Sequence, residues 1–205
     1  NWGAVHPPPK GSGKDNYLTA VTDIDDKIIE IIDVEKILSE VAPVETYSIS
    51  EEIISPAEVQ EIEKHEFKVL VADDSSVARK QIKRCVDKMG ITSVLVNDGK
   101  QALVHLQELV SKGVDVQKEY VMMISDIEMP EMDGYTLTAA VRASPDLCGL
   151  HIVLHTSLSG IFNQAMVEKV GANDFLAKFK PEELADRVSV RVKKYSEENN
   201  IPLDE

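Results

Sequence analysis

Phe67-Lys68-Val69-Leu70-Val71-Ala72-Asp73-Asp74-Ser75 is the stretch that decides how this chain is read. Its first six residues form a mostly apolar run, the pattern of a strand buried on both faces. Two carboxylates stand at its C-terminal end. Downstream, Val77, Ala78, Ile82, Cys85, Val86 and Met89 recur at helical spacing up to Gly90. Residues 93–97 then read as a strand and 101–111 as a helix. The alternation continues with strand 120–125, helix 135–143, strand 150–155, helix 163–170, strand 173–177 and helix 182–195. Five strands, each followed by a helix, predict an α/β fold: a five-stranded parallel doubly wound sheet with helices on both faces.

Upstream of Phe67 the pattern is different. Trp2 to Lys14 contains Pro7-Pro8-Pro9 and Gly11-Ser12-Gly13 and reads as extended and irregular. Residues 17–22 and 27–32 are short β-prone runs separated by Asp25-Asp26, which predicts a hairpin. Val34, Ile37, Leu38 and Val41 follow at helical spacing, and Pro43 ends them. A hairpin and one helix are too small to fold alone, so this front reads as the tail end of a larger domain. The chain begins at Asn1 rather than Met, and a preceding segment is expected. Residues 44–66 read as a linker. Within it Ser55-Pro56-Ala57-Glu58 predicts a capped helix ending near His65, solvated because Val59 and Ile62 give only a thin apolar stripe.

The charge follows the same division. The 205 residues carry 36 acids and 22 bases, a net charge of −14. Residues 15–66 hold 15 acids and 3 bases, so the acidity is concentrated in the front, while the stretch from Phe67 onward is close to balanced. The acidity disfavours nucleic acid and anionic membranes as partners. No apolar run has the roughly 18 residues of a membrane span, so no direct membrane insertion is expected. Cys85 and Cys148 cannot make a disulfide framework, and no Cys/His group has zinc-ligand spacing.

In open α/β sheets, ligands bind beyond the carboxyl ends of the strands. Asp73 and Asp74 follow the first strand, Asp126 the third, Thr156 and Ser157 the fourth, and Lys178 the fifth. Three converging carboxylates suit a hard divalent cation, and Mg²⁺ retains room for a phosphoryl oxygen. With Lys178 the charges of three carboxylates and one divalent cation cancel. A carboxylate in such a site can act as nucleophile, and Asp126 is the candidate because Asp73 and Asp74 are adjacent and suited to the metal. Each residue alone has a plainer reading: a helix cap for Asp73-Asp74, a turn for Asp126, a capping hydroxyl for Thr156, a solvated ammonium for Lys178. Their joint placement is the signal. His155 is read as structural, because neighbours on a strand face opposite ways.

Val71-Ala72-Asp73-Asp74-Ser75, Ser125-Asp126-Ile127-Glu128-Met129-Pro130-Glu131-Met132-Asp133-Gly134, His155-Thr156-Ser157 and Lys178 together resemble the response-regulator receiver domain, over residues 67 to about 195. The resemblance implies a flavodoxin-like fold with Asp126 as phosphoacceptor. It also implies Mg²⁺ held by Asp73, Asp74, Asp126 and the backbone carbonyl of Glu128, and Thr156 and Lys178 on the phosphoryl group. Phe175 falls at the family's aromatic switch position, with a plain core aromatic as the equal alternative. Two departures stand out. Phe179 follows Lys178 where the family usually has Pro, which puts a cis peptide there in doubt, and the connection at residues 113–120 is long.

Trp2, Pro7-Pro8-Pro9, residues 17–22 and Ile31-Ile32-Asp33-Val34-Glu35-Lys36-Ile37-Leu38 resemble the C-terminal portion of CheW-like coupling domains. A CheW-like remnant at 1–43, a linker at 44–66 and a receiver at 67–205 resemble the CheV family of chemotaxis coupling proteins. That resemblance implies a cytoplasmic signalling protein associated with chemoreceptor arrays. Its partners would be a CheA-like histidine kinase and chemoreceptors, and it would not be an enzyme in its own right. The alternatives are a Mg²⁺-dependent aspartyl-phosphate phosphatase and a receiver fold used only as a non-phosphorylated binding module. The phosphatase reading is weakened because Glu128 stands where haloacid dehalogenase-like enzymes place a second Asp.

Overall fold

The computed structural model describes residues 5–6, 18–24, 27–32, 37, 54–156, 167–178 and 180–203. The chain divides into two units, Asn1–Tyr47 and Ser48–Glu205.

In the first unit, strands β1 (Val5–His6), β2 (Leu18–Ile24) and β3 (Lys27–Ile32) form an antiparallel sheet in that order. The expected hairpin is present, with Ile24 paired to Lys27 across its end. Val5 and His6 also pair with β2, so the opening stretch contributes a strand that its prolines concealed. Of the short helix expected around residues 34–41, Ile37 is helical and the rest lies outside the described residues.

The second unit opens with helix α1 (Pro56–Lys64). Ser55 caps it by accepting from the Glu58 amide, and the Glu58 carboxylate accepts from the Ser55 amide. The capping box is as expected, but the solvation is not. Ile54 and Ile62 are buried in one cluster with Phe67, Val192 and Tyr195. The helix is short, so its apolar stripe is too brief to stand out by periodicity, and Ile54 lies outside it altogether.

Then follow β4 (Lys68–Ala72), α2 (Ser76–Lys88), β5 (Thr92–Val96), α3 (Gly99–Ser111), the one-turn α4 (Val116–Glu119) and β6 (Met122–Asp126). The order closes with α5 (Gly134–Ala143), β7 (Ile152–Thr156), β8 (Asp174–Ala177) and α6 (Pro181–Asn199). Residues 167–170 are helical, and the earlier part of the helix expected from 163 lies outside the described residues. The long connection at 113–120 holds α4, which Asp115 caps.

The five strands form a parallel sheet in the order β5-β4-β6-β7-β8, the doubly wound flavodoxin-like arrangement. The three central strands are almost wholly buried, whereas edge strand β5 is not. Alternate residues of β4 serve opposite cores: Val69 and Val71 pack with α1, α2 and α6, while Leu70 and Ala72 pack with α3 and α5. Ser75, Asp98 and Asp133 each cap the helix that follows them. Arg142 ties the α5–β7 connection to the turn before β8. Its guanidinium donates to the carbonyls of Cys148, Leu150 and Gly171 and to Asn173 Oδ1. Among the described residues, no helix is long and apolar enough to cross a membrane.

Candidate functional site

The strand order reverses between β4 and β6, because the chain leaves β4 first to one side and then to the other. A crevice at the carboxyl ends is expected there, and there the acidic residues meet. Asp73 follows β4 directly, and Asp126 is the last residue of β6. Asp73, Asp74 and Asp126 each offer a carboxylate oxygen, and these oxygens all lie within 4.8 Å of one another. Asp73 and Asp126 are buried, and Asp74 is exposed. Lys178, the first residue after β8, reaches across: its Nζ donates to Asp126 Oδ2 at 2.8 Å and lies 3.2 Å from Asp73 Oδ2.

The sequence places strand ends slightly early. Asp126 and Thr156 are terminal members of β6 and β7, paired with His155 and Ala177 respectively, rather than residues beyond the strands. Polar side chains mask the end of a ladder that the backbone continues. Thr156 is fully buried at the same sheet edge, and its carbonyl accepts from the Lys178 amide at 2.8 Å. Glu128 is exposed, and its amide lies 3.4 Å from Asp126 Oδ1 as a weak donor, while the Ile127 amide donates to the same oxygen at 2.7 Å. Phe175 is half-buried on β8 against the α3–α5 side of the core. Phe179 lies outside the described residues, as does Ser157.

Burial sets the electrostatics. It raises the Asp73 carboxyl to about 7, against the pull of Lys178 and with a further push from the charge of Asp126. Burial raises Asp126 as well, and Lys178 with the two amides opposes it. The site therefore concentrates negative charge that one ammonium does not fully offset. His155 is buried, and desolvation lowers its pKa to about 3, with Lys178 adding to the effect. Its imidazole is therefore neutral near pH 7.

The residues fit a hard divalent cation. All three donors are carboxylate oxygens. Asp73 Oδ2 is buried and lacks a hydrogen-bond partner, with the Lys178 ammonium 3.2 Å away in an ion pair shared with Asp126. A buried carboxylate oxygen without a donor is costly unless a cation satisfies it. Exposed Asp74 gives the cluster a face open to solvent.

Two supports were not legible as functional. Arg79 donates from its guanidinium to the Asp73 carbonyl, while Asp73 Oδ1 accepts from the Ser75 amide at 2.8 Å. An arginine on an amphipathic helix gives no sequence signal of such a contact. Gly134 starts α5 directly over the β6 end: a Cβ there would lie 2.2 Å from the Asp126 carbonyl oxygen. Its place in the quoted motif marked it, but the close approach is visible only in three dimensions.

Comparison with known proteins agrees with this geometry. The response regulator receiver domain family matches residues 69–189. The chain is 30% identical over 174 residues to the chemotaxis protein CheV3 of Helicobacter pylori, covering 84% of this chain and 54% of that protein. It is also 30% identical to CheV1 of the same organism, over 85% of this chain and 52% of that protein. The chain thus spans about half the length of these curated relatives. Among solved structures, the chemotaxis protein CheY4 of Vibrio cholerae superposes with a TM-score of 0.53 at 27% identity, covering 60% of this chain and 97% of that one. A match across more than half the chain, on a parallel five-stranded sheet with the acidic cluster at its carboxyl edge, places the chain in the response regulator receiver domain family.

Proposed function

We propose that this chain is the phosphoryl-accepting portion of a chemotaxis signalling protein, with Asp126 as acceptor. The observation that carries the reading is the buried Lys178–Asp126 contact beside Asp73 and Asp74. Asp73, Asp74, Asp126 and the Glu128 carbonyl would hold Mg²⁺, which supplies charge neutralisation at the transferring phosphoryl group. An Asp126 carboxylate oxygen attacks phosphorus, the P–N bond of a phosphohistidine donor breaks, and the leaving imidazole takes up a proton. Lys178 and Thr156 bind the phosphoryl oxygens, and the amides of Ile127 and Glu128 orient the acceptor. Phe175, half-buried at the next strand, serves as the switch residue. The added charge of roughly −1.5 to −2 then biases the surrounding surface.

The relatives named as chemotaxis proteins support a CheA-like histidine kinase as donor and chemoreceptors as partners, in the cytoplasm. In this reading residues 1–43 are the remnant of a CheW-like coupling domain, 44–66 the linker and 67–205 the receiver. The output is a change in receptor–kinase coupling, and the chain accepts one phosphoryl group rather than turning over substrate.

Incubation with Mg²⁺ and acetyl phosphate, read by intact mass, tests this. One phosphoryl addition that EDTA abolishes is the expected result. Multiple turnovers on a generic phosphomonoester would favour the phosphatase instead. No mass gain would leave only a binding module.

A further inference from the structure

Helix α1 lies in the stretch that leads into the receiver, and it is fastened to the far end of α6. Ile54 and Ile62 are buried beside Val192 and Tyr195. Lys193 Nζ lies 2.8 Å from Glu58 Oε1, so the capping glutamate of α1 also bridges to α6. Gly90, at the end of α2, admits the helix: a Cβ there would stand 2.7 Å from Glu63 Cγ and 2.9 Å from the Val59 carbonyl oxygen. Beyond α1, the His65 ring stacks on Phe67 and Phe67 meets Tyr195 edge-on, each pair with centroids 5.7 Å apart. His65 Nε2 lies 3.1 Å from the Pro202 carbonyl oxygen, which links α1 to the segment after α6.

The docking is specific but shallow. The helix itself buries only one residue, Ile62. A groove of about 770 Å³ remains between α1, α6 and the following tail, lined by Ile54, Ile62, Val192, Ile201 and Leu203. The Glu58–Lys193 pair is partly exposed, and such pairs contribute little. An element with few buried contacts opens at low free-energy cost.

The other end of α6 belongs to the acidic site. Lys178 is three residues before Pro181, which starts α6, and the helix has no side-chain cap holding that end. At about 1.5 Å per residue, the helix carries any displacement of that end roughly 20 Å to Lys193 and Tyr195. Lys178 now spans Asp126 and Asp73. A phosphoryl group on Asp126 places new anionic oxygens in competition with Asp73 for that ammonium.

We propose that α1 is a phosphorylation-responsive clasp: docked on the C-terminal half of α6 while Lys178 spans the two aspartates, and loosened when Asp126 is phosphorylated. This rests on the reading of Asp126 as acceptor. The surface involved is the α6 face around Val192, Lys193 and Tyr195, and its partner is the chain's own connector helix.

Hydrogen–deuterium exchange on the full chain tests it, with intact mass measured in parallel. The phosphorylated chain is expected to exchange amides of residues 54–65 at least about five-fold faster than the unmodified chain. Lys193→Glu, which sets two acids together, is expected to loosen residues 54–65 without phosphorylation. By reciprocity it binds the phosphoryl mimic beryllofluoride, with Mg²⁺, about five-fold more tightly. Lys193→Arg, which keeps a cation opposite Glu58 and leaves the cap of α1 intact, is expected to hold both values near the parent. A chain that gains the phosphoryl mass with unchanged exchange at 54–65 overturns the clasp and leaves the acceptor intact. So does Lys193→Glu binding beryllofluoride with parental affinity while its α1 exchanges faster. No mass gain at all overturns the acceptor reading and the clasp with it.

Discussion

Lys178 Nζ donates to Asp126 Oδ2 at 2.8 Å, and both side chains are 4% exposed although 52 residues separate them in sequence. The contact spans the sheet edge from β8 to β6 and holds two buried charges that neither could keep alone. Removing one partner of such a pair strands the other. Lys178→Met is therefore expected to lower unfolding stability by about 3 kcal/mol in metal-free buffer. Adding Asp126→Asn to it should recover part of that loss, because the stranded charge is gone. Urea denaturation of the three chains decides: a Lys178→Met chain as stable as its parent would mean that the pair is not buried in solution.

Gly134 marks the tightest approach to the acceptor. A methyl group there would stand 2.2 Å from the Asp126 carbonyl oxygen, well inside contact distance, and backbone cannot yield as a flexible side chain does. Gly134→Ala is expected to cost about 1–3 kcal/mol and to displace the end of β6. Phosphoryl labelling by acetyl phosphate should fall at least ten-fold, since positioning dominates such transfers. Labelling at the parental rate would show that the loop relaxes without disturbing Asp126.

Acid should weaken the fold through His151. Burial lowers its pKa to about 4, and Arg191 adds to the effect, against an ordinary 6.5. Between those values the unfolded chain binds a proton that the folded chain does not. The contribution is therefore complete above about pH 6.5 and is lost as pH falls toward 4. Discounted for partial exposure, it amounts to about 1 kcal/mol by pH 5. His151→Gln should show a correspondingly smaller drop in urea midpoint between pH 7 and pH 5. An identical drop in both chains would place the titration elsewhere.

The fold was legible because its strands are short apolar runs and its helices amphipathic, each punctuated by a cap or a glycine. Asp73, Asp126, Thr156 and Lys178 were legible because a parallel sheet brings every carboxyl strand end to one edge. The exact ends of β6 and β7 were not, since pairing of Asp126 with His155 and Thr156 with Ala177 is a backbone property. The docking of α1 was not legible for a different reason. Its contacts are with Val192 and Tyr195, some 130 residues on, and a stripe of two residues gives no periodicity to detect. Arg79 and Gly134 act on the backbone of Asp73 and Asp126, and sequence shows side chains rather than which carbonyl they approach.

The most direct test of the central claim is the location of the phosphoryl group after incubation with Mg²⁺ and acetyl phosphate. Tandem mass spectrometry of the labelled chain should place a single phosphoryl group on Asp126, and Asp126→Asn should carry none. Label found on another residue, or retained in Asp126→Asn at the parental level, would contradict the account.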